Sequence, residues 1–594
     1  MARVGEKNGL AYEGDQVYTE DGTVDLKGRP VFRSKTGRWK ACSFIVVYEI
    51  FERLAYQGVQ ANLVLYLTRE FHQGTVKASN NVTNWIGTVL ITPILGAYIA
   101  DAYLGRFWTF LIASAIYLLG MVLLSLAVSV PGLKPPSCST SHGDNVENCP
   151  EASSLQVGIF FLALYIIAVG GGGTKANIST LGADQFDEFE PREKKQKLSF
   201  FNWWVFGVFF GFLIAETFVV YIQDNVGWTL GYSLPTGGIA LGLLVFLVGV
   251  PFFRHRLPLG SPFTKMAKVF VASFRKWKVP LPDDPNELHE LSVGEYAKTG
   301  THMIDPTPTL RFLDKAAVKS GPTNTPWTLC PVTQVEGTKQ IVKLLPIFIA
   351  TFIPAIVSAQ SHTLFIKQGT TLDRSMGPHF NIPPAALAVF ITIFMLTTIV
   401  IYDRCFVPIV RRYTINPRGI SMLQRFGIGL VLHIVITLTA CLAERKRLSI
   451  AREHGIVGKK QTVPLTVFIL LPQFALLGIA DAFLEVSKVE FFYDQAPEGM
   501  KSLGASFSST SRGVGNFLSS AVLTLVSEIT KRHGHKGWIL DNLNLSRLDY
   551  FYALLAVLAF LNLLYFLVVA KLFVYNAEVK KSKLDSAPID TSQN

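Results

Sequence analysis

The sequence predicts an all-α membrane protein with twelve transmembrane helices in two six-helix bundles. Three observations predict it. Charged residues make up only 16% of the 594-residue chain, against roughly 25% in soluble domains, and the mean hydropathy is +0.34. Apolar runs of roughly 20 residues, the length needed to cross a bilayer, recur along the whole chain. A polar, Pro-rich and charged segment at 252–340 interrupts them midway, with six runs before it and six after.

Residues 1–41 form a polar tail of mixed charge, without the short apolar core and small-residue cleavage site of a signal peptide. Spans are expected near 42–67, 83–103, 107–130, 155–180, 200–221 and 230–250, making a first bundle at 42–251. The linker at 252–340 contains an amphipathic stretch from Phe263 to Lys278 suited to the inner membrane surface. A second bundle at 341–574 holds spans near 341–360, 383–402, 421–442, 463–486, 503–526 and 549–573, followed by a tail at 575–594. Twelve spans place both termini on one side. The N-terminal tail carries about eight Lys/Arg and the linker about a dozen, whereas 131–154 has only Lys134 and 222–229 has none. The positive-inside rule therefore makes the termini cytosolic. The stretch 443–462, with Arg445, Lys446, Arg447, Arg452, Lys459 and Lys460, opposes that assignment, and the summed bias outweighs it.

The net charge of +12 does not point to nucleic acid, because the basic residues gather in loops beside apolar spans rather than on a soluble module. Cys138 and Cys149 share one polar loop expected outside, so they are the candidate disulfide; Cys42, Cys330, Cys405 and Cys441 read as packing residues. Asn544 opens a glycosylation sequon in a loop expected outside, while the sequon at Asn177 falls in a span. Neither a nucleophile triad, a phosphate loop nor a metal-ligand cluster is legible, so no enzyme activity, cofactor or metal is expected.

Charges inside spans are functional candidates, since each is costly unless paired or hydrated. In the first span, Glu49, Glu52 and Arg53 share one sector of a helix. Two carboxylates beside one guanidinium leave a surplus negative charge, which would let one acid bind a proton near neutrality. A static cluster bracing the helix is the alternative. Lys175 follows Gly170 to Gly173 in the fourth span, where glycines permit close helix approach. Its expected counter-charge is Asp481 in the tenth span, a contact between halves that could act as a gate; separate local partners for each are the other reading. Glu485 lies one turn after Asp481, either in a direct role or at the cytosolic mouth. Glu216 and Arg512 could line the cavity or reach a wet edge.

Gly96, Asp101, Gly105 and Arg106 mark a tight inside turn between spans two and three, whose acid and base can exchange partners as the bundles rock. Thr109 fits a loose basophilic kinase pattern. Six plus six spans, a cytosolic linker and this loop resemble the major facilitator superfamily, whose sites lie near the membrane midplane between halves.

The chain is similar to the plant peptide and nitrate transporter family, the proton-coupled oligopeptide transporters, from about Asp25 to Val574, in a subgroup resembling wound- and stress-linked peptide transporters. The resemblance rests on Glu49-x-x-Glu52-Arg53, Asn80 to Trp85, Gly171 to Lys175, Phe200 to Trp204, Lys367 to Arg374, Asn416 to Ile420 and Phe491 to Pro497. It implies proton symport through Glu49, Glu52 and Arg53, a substrate carboxylate held by Arg53 and Lys175, and an amino terminus held by Asp481. Departures bear on the cargo. The tyrosine pair of the family is here Tyr56 and Gln57, Phe209 replaces an asparagine, Ala176 replaces a common proline, and Ser358 stands where one plant relative has a nitrate-binding histidine, with His362 four residues later. The resulting expectation is a proton-coupled symporter of di- and tripeptides in the plasma membrane or, as an alternative, the vacuolar membrane. Its partners are protons, a peptide or small-molecule substrate and the lipid bilayer. Alternatives are a transporter of specialised metabolites, hormones or low-affinity nitrate, and a nutrient receptor on the same fold.

Overall fold

The computed structural model describes residues 5–573 apart from 8–9, 14–15, 135–138, 141–146, 149–151, 188, 257–259, 283, 285–286, 293–302, 320–324, 379, 415–418, 459–460, 498–499 and 533–535. Cys138 and Cys149 lie outside the described residues, as does the tail at 575–594. The first half of the chain contains α1 (Arg38–Gln60), α2 (Leu63–Arg69), α3 (Thr75–Ile99), α4 (Gly105–Ser129), α5 (Ser154–Ala183), α6 (Pro191–Ile214), α7 (Val220–Asn225) and α8 (Trp228–Gly249). The linker supplies α9 (Pro262–Arg275). The second half contains α10 (Val332–Lys343), α11 (Leu345–Ala350), α12 (Phe352–Ala359), α13 (Leu364–Gly369), α14 (Val389–Ile401), α15 (Val407–Val410), α16 (Met422–Glu453), α17 (Leu471–Gln495), α18 (Lys501–Lys531) and α19 (Leu548–Leu572). Among the described residues, strands are confined to pieces of two to four residues, and the rest of the regular structure is helical.

The expected twelve spans in two six-helix bundles are not what the helices present. Among the described residues, eight helices are long and apolar enough to cross a membrane, or nine if Val332–Ala350 and Phe352–Gly369, bent by 41°, form one span. Two causes account for the difference. The expected spans at 83–103 and 107–130 fall in one helical run, Thr75–Ser129, joined through the π-helical turn Ala100–Leu104. The expected first and eleventh spans are α1 and α18, whose charges and small polar residues keep them too polar to qualify. Pro346 and Pro354, which lack a backbone donor, accompany the breaks between α10 and α13.

Burial follows the two halves. One buried apolar cluster draws almost entirely on residues between Ala41 and Phe253, and two others on residues from Ile341 to Phe566. The amphipathic α9 turns Val269 and Ala272 onto Leu313, Ala316, Cys330 and Val335, so the linker builds a small core of its own. Along α3 and α18 the halves meet through glycines: a Cβ at Gly87 would lie 3.1 Å from the Gly513 carbonyl, and one at Gly513 would lie 2.7 Å from Ile91.

The N-terminal tail is held at one end of the helices. Arg33 bonds Asp187 at 2.9 Å and Glu20 at 3.0 Å, and the Glu20 N–H donates to Asp187. Burial works to raise the Asp187 carboxyl, but the N–H groups of Glu20 and Phe189 and the Arg33 guanidinium outweigh it and hold the group below its ordinary value. The described ion pairs here stay within residues 20–256. At the opposite end the ties cross between halves. Asp224 receives Arg69 at 2.5 Å and Arg374 at 3.1 Å, the Thr75 N–H donates to Asp541 at 2.7 Å, and Asn80 donates to Thr524 at 2.7 Å.

Two expectations about this end need correction. The basic stretch beginning at 443 is not a loop: α16 continues to Glu453, and Arg447 is fully buried in a two-bond pair with Glu444 at 2.6 and 2.8 Å. A neutralised arginine does not weigh in the charge bias as a free one would. Asn544 is 7% exposed, its amide donating to the carbonyls of Gly458 and Gln461 while its oxygen accepts from Arg447. An amide nitrogen engaged in this way is not a glycan acceptor.

Candidate functional site

The helical repeat sets Glu49, Glu52, Arg53 and Tyr56 on one side of α1. Neighbouring helices come close because glycines face them: a Cβ at Gly211 would meet the Ile50 carbonyl at 2.7 Å, and Cβ atoms at Gly170 and Gly172 would meet Tyr117 at 2.5 Å and Thr92 at 2.6 Å. The glycines of α5 thus seat that helix against α3 and α4, and Lys175, further along α5, reaches the charged side of α1. Arg53 Nε lies 2.6 Å from Glu49 Oε1 and 3.3 Å from Glu52 Oε2. Lys175 Nζ lies 4.0 Å from Glu52 Oε1 and 3.2 Å from the centre of the Tyr56 ring. Both carboxylates are 1% exposed.

These contacts correct two expectations. Lys175 adds a second basic group beside the two carboxylates and Arg53, so the surplus negative charge read from α1 alone is formally balanced across the four side chains. The Lys175–Asp481 contact is not made; Lys175 is engaged by Glu52 and Tyr56 within its own half.

A second constellation lies on α17 and α18. Glu485 Oε1 receives Lys488 Nζ at 2.5 Å, and its other oxygen lies 3.4 Å from Arg512 Nε. Asp481, one turn before Glu485, interacts electrostatically with Lys488 and Arg512. The Arg512 side chain is 47% exposed and also interacts with Tyr56 and Lys175, so its charge reaches from one constellation toward the other. Lys488 was not legible as a partner, although its spacing of three from Glu485 places it on the same helix face.

Ser358 on α12 lies 3.5 Å from Nε2 of His433, a buried residue of α16. With His433 Nδ1 donating to the Gly429 carbonyl at 2.7 Å, the neutral ring presents Nε2 as acceptor for the serine hydroxyl. An imidazole therefore stands beside Ser358 from another helix, and a lone histidine in an apolar run gave no sign of it. Phe209 is half-buried on α6, its ring 6.3 Å from Phe212. Glu216 is buried, with Gln57 and Thr392 as its partners.

The turn between α3 and α4 is built differently from expectation. Gly105 adopts φ +76°, a conformation that favours glycine. Gly96 packs on Gly172, where a Cβ would lie 2.5 Å from the carbonyl oxygen. Arg106 pairs with Asp184 at 2.6 and 2.8 Å, joined by Arg256 at 3.4 Å, whereas the Asp101 carbonyl receives Gly260. Thr109 is 6% exposed inside α4, so it is no surface for a kinase. A cavity of about 310 Å³ beside Tyr402, Arg425 and Glu490 contains none of these residues.

Residues 107–539 match the POT family. The chain is 60% identical to Protein NRT1/PTR FAMILY 5.2 of Arabidopsis thaliana over 95% of its length and 96% of the relative's. It is 58% identical to Protein NRT1/PTR FAMILY 5.3 of the same plant, with the same coverage. The solved structure of an auto-inhibited POT family peptide transporter shares the fold, with a TM-score of 0.67 at 20% identity over 90% of this chain and 98% of that one. Agreement across nearly the full length leaves one assignment: the chain belongs to the POT family, and is a multi-pass membrane transporter rather than an enzyme.

Proposed function

We propose that the transporter carries di- and tripeptides into the cytosol with protons, and that the cluster of Glu49, Glu52, Arg53 and Lys175 couples the two. The observation that carries this reading is the charge balance of the cluster. Two acids and two bases buried together are neutral, so a substrate carboxylate arriving at Arg53 and Lys175 leaves one negative charge uncompensated. A proton on Glu52 or Glu49 restores neutrality. Substrate and proton are then favoured together and each is disfavoured alone, which is the definition of symport in free-energy terms.

In this scheme Asp481 receives the peptide amino terminus, Arg512 and Glu485 line the path between, and residues 42–251 and 341–574 move as two halves about the linker. The turn of Gly96, Gly105 and Arg106 exchanges partners at the tail end as they move. The basic tail and linker favour cytosolic termini, and we place the protein in the plasma membrane, where the proton gradient drives uptake. The peptide transporter whose fold it shares supports the cargo class. A second reading, a carboxylate-bearing metabolite with an apolar body, is favoured by Phe209 and by the neutral Ser358–His433 pair.

The test is uptake of labelled dipeptide in oocytes at acidic and neutral external pH, for the native chain and for Glu52→Gln at matched surface expression. Acid-stimulated uptake lost in the variant supports the reading; acid-stimulated uptake retained in full rejects it. Native chain that takes up a metabolite extract and not peptides moves the cargo to the second reading.

A further inference from the structure

Glu216 is an unusual acid for a membrane interior. It sits in the π-helical turn Ala215–Val219 between α6 and α7, and is 4% exposed. Oε1 accepts from Gln57 Nε2 at 2.8 Å, and Oε2 lies 3.3 Å from Thr392 Oγ1. Gln57 belongs to the same half of the chain, on α1, whereas Thr392 belongs to the other, on α14. Among the described residues no Lys, Arg or His forms an ion pair with it.

The elements packed around the turn offer no counter-charge. On α1 the nearest cation is Arg53, one turn before Gln57, and it is engaged by Glu49 and Glu52. The charges of α6 cluster at its far end, between Arg192 and Lys197. Asp224 of α7 is held by Arg69 and Arg374. Tyr232 is the sole titratable side chain of α8, and 384–388 and α14 carry none.

An ionised carboxylate enclosed by two neutral donors is poorly compensated where water is excluded. The neutral acid is satisfied by the same two partners: Gln57 still donates to Oε1, and the carboxyl O–H donates to the Thr392 hydroxyl, which can accept as well as donate. Once the halves part, Thr392 is withdrawn, water enters, and the ionised form is the solvated one.

We propose that Glu216 is a proton-binding site separate from the α1 cluster, which takes up a proton as the Thr392 side of the molecule closes and returns it when that side opens. The proton comes from water on the face opposite the N-terminal tail and goes back to it. It is not carried across, so the transport stoichiometry is untouched while closure of that face becomes acid-favoured.

The test reads closure directly, without substrate, so it does not depend on coupling at Glu52. Spin labels are placed on the full chain through Val226→Cys and Met376→Cys, both exposed and on opposite halves, with Cys405→Ser. Distances are measured in lipid nanodiscs at about pH 5.5 and about pH 8, either side of the range in which a buried carboxyl titrates. We expect the short-distance population of the native chain to rise about threefold or more on acidification, and Glu216→Gln to hold it at both pH values. Thr392→Val, which removes the acceptor of the neutral acid, should move the midpoint to lower pH. A native chain with no shift, or Glu216→Gln shifting as the native chain does, overturns the proposal.

Discussion

The two charge constellations are alike in composition and unlike in setting. Each holds two acids and two bases: Glu49, Glu52, Arg53 and Lys175 on α1 and α5, and Asp481, Glu485, Lys488 and Arg512 on α17 and α18. In the first, no side chain exceeds 13% exposure; in the second, Arg512 is 47% exposed and Glu485 16%. A sealed neutral cluster is sensitive to any added charge, because no solvent screens it. An open one tolerates the arrival of a ligand, because water already shares the load. In the proposed scheme the sealed cluster therefore carries both the proton and the substrate carboxylate, and the open one meets the rest of the cargo.

Substitutions can break or sharpen that contrast. Glu52→Gln removes an acid from the sealed cluster and leaves Lys175 without its carboxylate; breaking a buried pair costs about 3–5 kcal/mol, so proton-driven accumulation should fall by about 100-fold or more. Accumulation in proteoliposomes under an imposed pH gradient checks it. Lys175→Ala should lower initial uptake by about tenfold or more while leaving solute-free proton leak unchanged, and native kinetics in that variant would remove Lys175 from the site. Arg512→Ala acts in a screened setting, so a rise in KM of about threefold is expected with acid stimulation intact; loss of acid stimulation instead would erase the contrast between clusters.

The smallest effect lies outside both. Asp187→Asn should weaken docking of the N-terminal tail by about 1–2 kcal/mol, read as faster tryptic cleavage at Lys27 and Lys35. The folded Asp187 carboxyl lies below its ordinary value. Its contribution is therefore complete above the unfolded value and is lost only as pH falls through the folded one. Native tail protection should be equal at pH 7 and pH 5 and decline under more acid conditions.

The first constellation was largely legible in the sequence, since spacings of three and four on one helix fix which side chains share a face. Its neutrality was not. Lys175 lies on another helix, and its approach to Glu52 depends on tertiary packing. The partner of Glu485 is Lys488, three residues away on the same helix face, a spacing that the sequence does contain. Span counting failed where function put charge into α1 and small polar residues into α18, lowering the apolarity on which the count relies. The Asn544 sequon misled because a local pattern says nothing of whether an amide has found partners across the fold.

Asp224 binds one arginine from each half of the chain. Were Arg374 alone its counter-ion, parting the halves would strand a bare acid at the moment of separation. With Arg69 staying behind, the acid remains neutralised throughout, and only the Arg374 contact must be surrendered to solvent. A latch that keeps its own half satisfied can let go cheaply and re-engage without reorganising, which suits a joint that must open and shut once in every transport cycle.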